Sequence, residues 1–337
     1  MIKYLILLII IVIIIIIIKS CYNTRNWFID NPQLKIDIVY TWAGEHNNKE
    51  DVRTSFNNEL KYSLRSVFTN MDWFNHIFIV INTPIESNFP SWFNEEYSNK
   101  ITLIDQKRIF PKERHKDLPC KFSDIIETYI HLIPGLSEHF IYLNDDFFVN
   151  KPLDYTEFFN ESGNKIKVVK DVINYEKMNY NDTLKFKNYP FIFNIPWYNP
   201  RTVFKNKLLY HPHILYPMTI SSRKKFIKEY SEWINWVRNL KYDKRLNLEK
   251  CSEFGLYSQC VSSHYPYYIY MYLNNNATIN TNLFDTYIGG GRFFKYSIKK
   301  IKSDTLFFVI NNIQSKYLNT ITEFLENKYP NKLCFEK

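Results

Sequence analysis

Short apolar runs alternate with segments of helical period in the first half of the chain. The apolar runs predict strands over Ile36–Trp42, His76–Ile81, Ile101–Ile104 and Phe140–Leu143. Strands that alternate with helices are typical of a βαβ arrangement, in which the sheet is parallel and helices cover both faces. The pattern therefore predicts an α/β domain with a mostly parallel sheet.

Helical segments are predicted between these strands. Over Asn57–Asn70, the residues Leu60, Leu64 and Val67 recur at the spacing of one helix face. A second helix is predicted over Ile125–Leu132, before the fourth strand, and Glu127 has capping-box spacing from Asp124 at its start. Both helices would pack their apolar faces on the sheet.

The second half of the chain has a weaker pattern, which we interpret as more helical. Helices are predicted over Ser221–Leu240, Glu253–Tyr272 and Ile313–Tyr329, and a last strand over Leu306–Ile310. The polar, Asn-rich stretch at about 160–190 is predicted to be an insertion with little core.

The amino terminus carries an unbroken apolar stretch, Tyr4–Ile18. Its length suits a signal sequence, and no small-residue cleavage site follows it, so we expect an uncleaved signal anchor over residues 1–20. A stalk over 21–35 and a single domain over 36–337 would follow. We expect a single-pass membrane protein, facing the lumen of the secretory pathway if eukaryotic or viral and the cytoplasm if bacterial; the flanking charges do not decide the orientation.

The net charge of the chain indicates which kinds of ligand it can be expected to bind. Lys and Arg total 43 against 34 Asp and Glu, a formal net charge of +9. This excess is compatible with a polyanionic ligand or a membrane surface. The basic residues are scattered and form no nucleic-acid motif, so we do not expect nucleic-acid binding.

The most informative polar residues are Asn144, Asp145 and Asp146, which directly follow the fourth predicted strand. Two adjacent carboxylates at a strand end need compensation, and a divalent cation such as Mg²⁺ or Mn²⁺ supplies it. The alternative is a solvated turn between two strands. Thr41 and Trp42 end the first strand, and Asp105 follows the third. The carboxyl ends of parallel strands meet at one edge, where open α/β sheets bind ligands. This convergence favours a site.

Basic side chains on the first helix are candidates for binding a diphosphate. Arg65 and Lys61 lie on its polar face, and arginine suits phosphate geometry. Lys61 is equally interpretable as a solvated side chain, and Arg65 as a structural ion-pair partner of Asp37 or Glu59. Asp37, inside an apolar strand, needs a partner under either interpretation.

Several segments together resemble one family. They are IDIVYTW, NELKYSLRSVF, HIFIVIN followed by PSWFN, IPGLSEHFIYLNDDFFVNKP and a later HPH. This set is similar to the Stealth sugar-phosphate transferases, whose first two conserved regions would cover Ile36–Pro152. The resemblance implies a GT-A-like, Rossmann-type fold, a divalent metal (Mg²⁺ or Mn²⁺), and transfer of a hexose-1-phosphate from a UDP-sugar to the hydroxyl of a carbohydrate acceptor.

Site residues follow from the resemblance position by position. It places Asp37 on the first-strand acid, Lys61 and Arg65 on the basic helix, and Asp145 and Asp146 on the acidic pair, so that donor binding is expected of the first three and metal binding of the pair. Trp42, at the end of the first strand, is a further expected donor contact.

The residues that would transfer protons follow less directly from the resemblance. The family's Pro-His pair matches Pro212-His213, which makes His213 the candidate general base, although a structural hydrogen bond in a Pro-rich loop is the alternative. Asp145 is also a candidate catalytic residue. Glu253 resembles an acidic residue of other GT-A-like glycosyltransferases, and a helix-capping role is its alternative.

Two departures from the family pattern keep other functions open. Phe122-Ser123 stands where an Asn-Ser pair is usual, and Asn311-Asn312 where Asn-Asp usually ends the last strand. The alternatives are therefore a glycosyltransferase that releases UDP, or an inactive protein that binds glycans or nucleotide sugars.

Overall fold

The structure is a computed structural model of the chain. The residues that it describes are 34–44, 58–87, 89–97, 99–120, 123–169, 171–174, 207–210, 215–239, 267, 271, 276–280, 285–289, 301, 305–311 and 315–337. The predicted anchor lies outside this part of the chain, as do the predicted stalk except for residues 34 and 35, most of the predicted helix Glu253–Tyr272 and the segment around His213.

A five-stranded sheet in the order β3-β2-β1-β4-β9 forms the centre of the domain. Its strands are β1 Ile36–Trp42, β2 Ile77–Ile81, β3 Ile101–Asp105, β4 His139–Asn144 and β9 Tyr216–Thr219. The first four are parallel, and β9 is antiparallel to β4. All residues of β1 and β2 are buried, as expected for a parallel sheet covered on both faces. The predicted mostly parallel Rossmann-type α/β class is confirmed, with the strand order 3-2-1-4 of that fold.

Five α-helices are described. They are α1 Glu59–Asn70, α2 Ser123–Glu127, α3 Ile220–Glu229, α4 Ser231–Asn239 and α5 Leu318–Lys328. The apolar face predicted for α1 is buried. Helix α2 is shorter than the prediction of Ile125–Leu132, because the chain continues into a turn and a short 3₁₀ helix, Ile130–Leu132. The single helix expected over Ser221–Leu240 is two helices, which meet at Tyr230.

Three smaller sheets complete the described strands. Their strands are β5 Phe147–Val149, β6 Ile166–Val169, β7 Asp171–Asn174, β8 Lys207–Tyr210, β10 Ala277–Asn280, β11 Asp285–Gly289 and β12 Phe307–Asn311. They form the sheets β11-β12-β5, β10-β6 and β7-β8. Strands β6 and β7 lie within the stretch predicted to have little core, and Ile166 is fully buried. That part of the prediction is therefore wrong for the beginning of the stretch.

Short 3₁₀ helices connect the larger elements. They span Ile85–Ser87, Glu95–Tyr97, Gln106–Arg108, Lys112–Asp117, Ile130–Leu132, Tyr155–Glu157 and Ser315–Tyr317. Among the helices described, none has the length and apolar character that a bilayer-spanning segment needs.

The carboxyl-terminal helix packs against the amino-terminal half of the domain. Ile321 and Leu325 of α5 join a buried cluster with Tyr62 of α1, Phe148 of β5 and Phe308 of β12. Burying aromatic and aliphatic side chains of this size stabilises the fold by roughly 1.5–3 kcal/mol for each. The end of the chain thus stabilises α1 and β5, the two elements that flank the carboxylate pair.

Candidate functional site

The carboxylate pair lies at the point in the sheet where the strand order reverses. Strands β1 and β4 are neighbours, and Thr41 of β1 is in register with Asn144 of β4. Asp145 and Asp146 follow in the turn that leads from β4 into β5. In open α/β sheets, ligands bind in the crevice beyond the carboxyl ends of the two strands at this reversal. The sequence prediction that these residues meet at one edge of the sheet is confirmed.

Both carboxyl groups are held where ionisation is unfavourable. Asp145 and Asp146 are partly buried, and desolvation raises the pKa of each to about 7. The charge of Asp146 adds to the increase in the pKa of Asp145. Asp146 Oδ1 is buried and accepts no hydrogen bond within the described part of the chain. A buried carboxylate oxygen without a donor is costly unless a cation or a ligand completes its contacts.

The pair fits a magnesium or manganese ion that takes part of its coordination from a substrate. Within the described ranges, no group of three or more His, Cys, Asp or Glu side chains is placed to hold a metal ion. Mg²⁺ is commonly bound by one or two carboxylates together with waters and substrate phosphates. Two carboxylates, one of them with an unpartnered oxygen, are consistent with that kind of site.

Hydrogen bonds from α1 fix the strand that follows the pair. Ser63 Oγ donates to the carbonyl oxygen of Phe147. One turn later, Ser66 Oγ accepts from the backbone N–H of Val149 at 2.9 Å. Asn70 Nδ2 donates to the carbonyl oxygen of Val149, also at 2.9 Å. Because the three side chains recur on one helix face, α1 holds β5 along its length.

Strand β12 fixes the turn from its other side. The backbone N–H of Ile310 donates to the carbonyl oxygen of Asp146 at 3.1 Å. Val309 is in register with Phe147, in antiparallel pairing. The end of β12, at Asn311, therefore lies beside the carboxylate pair.

A buried hydrogen-bond network connects the ends of strands β1 and β4 to helix α2. The Tyr142 hydroxyl lies 2.7 Å from Thr41 Oγ1, 2.7 Å from Asn144 Oδ1 and 3.2 Å from Glu127 Oε1. Glu127 is only 4% exposed. The sequence suggested a capping role for this residue, whereas the structure places it at the end of α2 within the network. A carboxylate in the apolar run from Ile125 to Ile130 was the available signal.

Asp37, expected to bind the donor, lies at the opposite edge of the sheet. It is the second residue of β1, about 16 Å along the strand from Trp42 at a rise of roughly 3.3 Å per residue. Its Oδ1 accepts from Asn75 Nδ2 at 2.7 Å, and its Oδ2 accepts from the backbone N–H of Ser137 at 2.6 Å. We therefore correct the expected role: Asp37 ties together the segments that lead into β2 and β4.

Arg65, which was also expected to bind the donor, is instead paired with residues near the carboxyl terminus. Its Nε and Nη2 donate to the two carboxylate oxygens of Glu336 at 2.8 and 2.7 Å. Its Nη1 donates to Glu326 Oε2 at 3.1 Å and to the carbonyl oxygen of Tyr329 at 2.7 Å. The side chain is 1% exposed. Neither Asp37 nor Glu59, the partners considered from the sequence, is the one found, and the guanidinium is not open to a diphosphate in this structure.

The remaining predicted site residues differ in their exposure and in their distance from the carboxylate pair along the fold. Lys61 is partly exposed, and burial lowers its pKa, with the charge of Arg65 as a further cause. Trp42 ends β1 at the same edge of the sheet as the carboxylate pair and is 6% exposed. Asp105 ends β3 and caps the following 3₁₀ helix by accepting from the backbone N–H of Lys107 at 2.7 Å. His213 and Glu253 lie outside the described residues.

Two of the solved structures to which the chain is similar are glycosyltransferases. One is the galactosyltransferase LgtC in complex with donor and acceptor sugar analogues, with a TM-score of 0.44 and 10% identity over 87% of this chain and 95% of that one. Another is the glycosyltransferase GlyE of Streptococcus pneumoniae, with a TM-score of 0.41 and 13% identity over 88% of this chain and 60% of that one.

Sequence relatives are polysaccharide phosphotransferases. The capsular polysaccharide phosphotransferase LcbA of Neisseria meningitidis is 39% identical over 151 residues, 39% of this chain and 39% of the relative. That of Actinobacillus suis is 44% identical over 152 residues, again 39% of each chain. The exopolysaccharide phosphotransferase of Streptomyces coelicolor is 32% identical over 151 residues, 40% of this chain and 25% of the relative. The chain thus spans about two fifths or less of the length of these relatives.

The matched region coincides with the site. Residues 53–167 match the family profile described as "Stealth protein CR2, conserved region 2". This range contains α1, the network residues Glu127 and Tyr142, and the carboxylate pair. Over residues 53–167 the chain is therefore similar to the Stealth proteins in their second conserved region.

Proposed function

We propose that this protein is a metal-dependent transferase that moves a hexose-1-phosphate from a UDP-sugar to a carbohydrate hydroxyl during polysaccharide synthesis. One observation carries the proposal: a partly buried carboxylate pair, with an unpartnered oxygen on Asp146, at the strand reversal of a Rossmann-type sheet. The names of the three sequence relatives described above, each a polysaccharide phosphotransferase, support the same reaction class.

In this proposal Asp145 and Asp146 would hold Mg²⁺ or Mn²⁺, which would supply charge stabilisation to the transferred phosphoryl group. Lys61, which is partly exposed on α1, contributes positive charge to donor binding, and Trp42 contributes at the end of β1. Arg65 and Asp37 act through the fold, because their side chains are already paired.

The proposed reaction is attack by the acceptor hydroxyl oxygen on the sugar-bearing phosphorus of the donor. The new O–P bond replaces the bond between that phosphorus and the bridging oxygen, and UMP leaves. His213 is the proposed general base for the hydroxyl proton, and Glu253 is the second candidate. We further propose that residues 1–20 anchor the protein to a membrane.

The released nucleotide tests this function. The full-length protein would be incubated with Mg²⁺ or Mn²⁺, a panel of UDP-sugars and oligosaccharide acceptors, and its products identified by mass spectrometry. UMP together with a phosphodiester-linked product is expected, and both should disappear in Asp146→Asn. Release of UDP with a glycosidic product would instead identify a glycosyltransferase.

A second candidate is a protein that binds nucleotide sugars without turning them over. It is favoured by the neutral residue Asn311 at the end of β12, the strand whose Ile310 bonds to Asp146. The family pattern has a carboxylate in the next position, where this chain has Asn312. Metal-dependent binding of a UDP-sugar with no release of UMP or UDP at any metal concentration would establish this alternative.

A further inference from the structure

We propose that Tyr142 is a positioning residue that fixes the carboxylate pair through Asn144 and couples it to Glu127. The inference rests on the proposed function of the site. It assigns to Tyr142 an action through its neighbours, without contact to the reacting atoms.

The hydroxyl of Tyr142 joins three separate parts of the fold. Thr41 belongs to the carboxyl end of β1, Asn144 ends β4, and Glu127 ends α2. The Tyr142 oxygen lies within 2.7 Å of the first two and 3.2 Å of the third. The side chains of Thr41 and Asn144 also contact each other, at 3.3 Å. The hydroxyl oxygen of Tyr142 thus contacts β1 and β4, the two strands at which the strand order reverses, and helix α2.

Asn144 transmits this arrangement to the site. It immediately precedes Asp145, so the direction of its side chain and the path of the turn are linked. The Asn144 amide oxygen accepts from the Tyr142 hydroxyl at 2.7 Å, and the Thr41 hydroxyl, 3.3 Å from the same amide oxygen, can donate to the Tyr142 oxygen. Because groups that orient metal-binding side chains set the geometry of a site, loosening Asn144 should weaken metal binding and slow transfer more than it affects the fold.

Burial makes Tyr142 suited to this role. Its side chain is fully buried, and it stacks on Tyr216 of β9 with ring centroids 6.0 Å apart. Burial raises its pKa well above the usual value, and the negative charge of Glu127 acts in the same direction. The hydroxyl therefore keeps its proton throughout the working pH range and remains a donor.

The substitution Tyr142→Phe removes only the hydroxyl from this packing. Tyr267→Phe is the matched control: Tyr267 is also fully buried, and its hydroxyl lies 2.6 Å from Ser222 Oγ, on helix α3. The full-length wild type and both variants would be compared by circular dichroism, by kcat and donor KM, and by the Mn²⁺ concentration that gives half-maximal activity.

The expected result separates positioning from folding. Tyr142→Phe should lower kcat about 10- to 100-fold and raise the half-maximal Mn²⁺ concentration by a similar factor, the usual effect of losing an orienting group. Its donor KM, measured at saturating Mn²⁺, should change less than about threefold, and Tyr267→Phe should retain wild-type kinetics. Wild-type kcat and Mn²⁺ dependence in a folded Tyr142→Phe protein would overturn the inference, as would equal losses in both variants.

Failure of the inference and failure of the proposed function look different. If the wild type transfers sugar phosphate and Tyr142→Phe does so equally well, only the inference fails. If the wild type has no transferase activity, the proposed function fails, and Mn²⁺-dependent binding of UDP becomes the readout. Equal Mn²⁺ affinity in the wild type and Tyr142→Phe would then overturn the inference as well.

Discussion

Arg65 and Glu336, 271 positions apart in the chain, form a buried bidentate ion pair. Their side chains are 1% and 2% exposed. Burial alone would lower the pKa of Arg65, but hydrogen bonding to Glu336 and its negative charge outweigh burial and raise the pKa. The Arg65–Glu336 ion pair links the carboxyl-terminal segment to α1. Helix α1 is in turn hydrogen-bonded to β5, the strand that follows Asp145 and Asp146.

Replacing Arg65 should therefore destabilise the fold. Arg65→Met leaves the carboxylate of Glu336 buried without its partner, and such a loss costs about 3–5 kcal/mol. Urea unfolding followed by tryptophan fluorescence would measure the free energy of unfolding. Lys61→Met, on the same helix but partly exposed, should cost less than about 1 kcal/mol. A stable Arg65→Met protein that specifically fails to bind UDP would show that Arg65 contacts the donor.

Asp37 should likewise matter for folding and not for chemistry. In Asp37→Asn the amide can keep one of the two hydrogen bonds but presents a donor to the other, so we expect a loss of about 1–3 kcal/mol in the free energy of unfolding. Donor KM and kcat, measured well below the unfolding temperature, should stay within about twofold of the wild type. A loss of donor affinity with unchanged stability would contradict this assignment.

Residues close in sequence were predicted better than contacts between distant ones. The bounds of β1 follow from an apolar run, and the position of the carboxylate pair follows from the direction of parallel strands; neither needs long-range information. The partners of Asp37 and Arg65 depend on which loops and which chain end reach them, and no local pattern encodes that. The role of Glu127 was not predicted for the same reason. Its contact with Tyr142 of β4 depends on how α2 packs against the sheet.

The carboxylate pair should make the metal-free protein less stable as pH rises. Folding raises the pKa of both groups from 3.8 to about 7, so the folded state binds more protons than the unfolded state between about pH 4 and 7. The free energy of unfolding should fall through this window, by at least about 1.4 kcal/mol, the equivalent of one pKa unit.

Thermal unfolding with EDTA at pH 5, 6, 7 and 8 would measure this dependence. Asp146→Asn should flatten it and be the more stable protein at pH 8. Added Mn²⁺ should stabilise the wild type most at pH 8, where ionised carboxylates bind it. A pH profile of Asp146→Asn that is identical to the wild-type profile would show that the pair does not carry this effect.

We propose above all that the carboxylate pair binds a cation together with the donor diphosphate. Isothermal titration of UDP into the full-length protein, with Mn²⁺ and with EDTA, tests it most directly. We predict that UDP binds tightly only with Mn²⁺, and that Asp145→Asn and Asp146→Asn each weaken binding at least about 100-fold, as expected for the loss of several kcal/mol of charge stabilisation. Equal UDP affinity with and without Mn²⁺, or unchanged affinity in both variants, would show that the pair does not bind the donor through a metal ion.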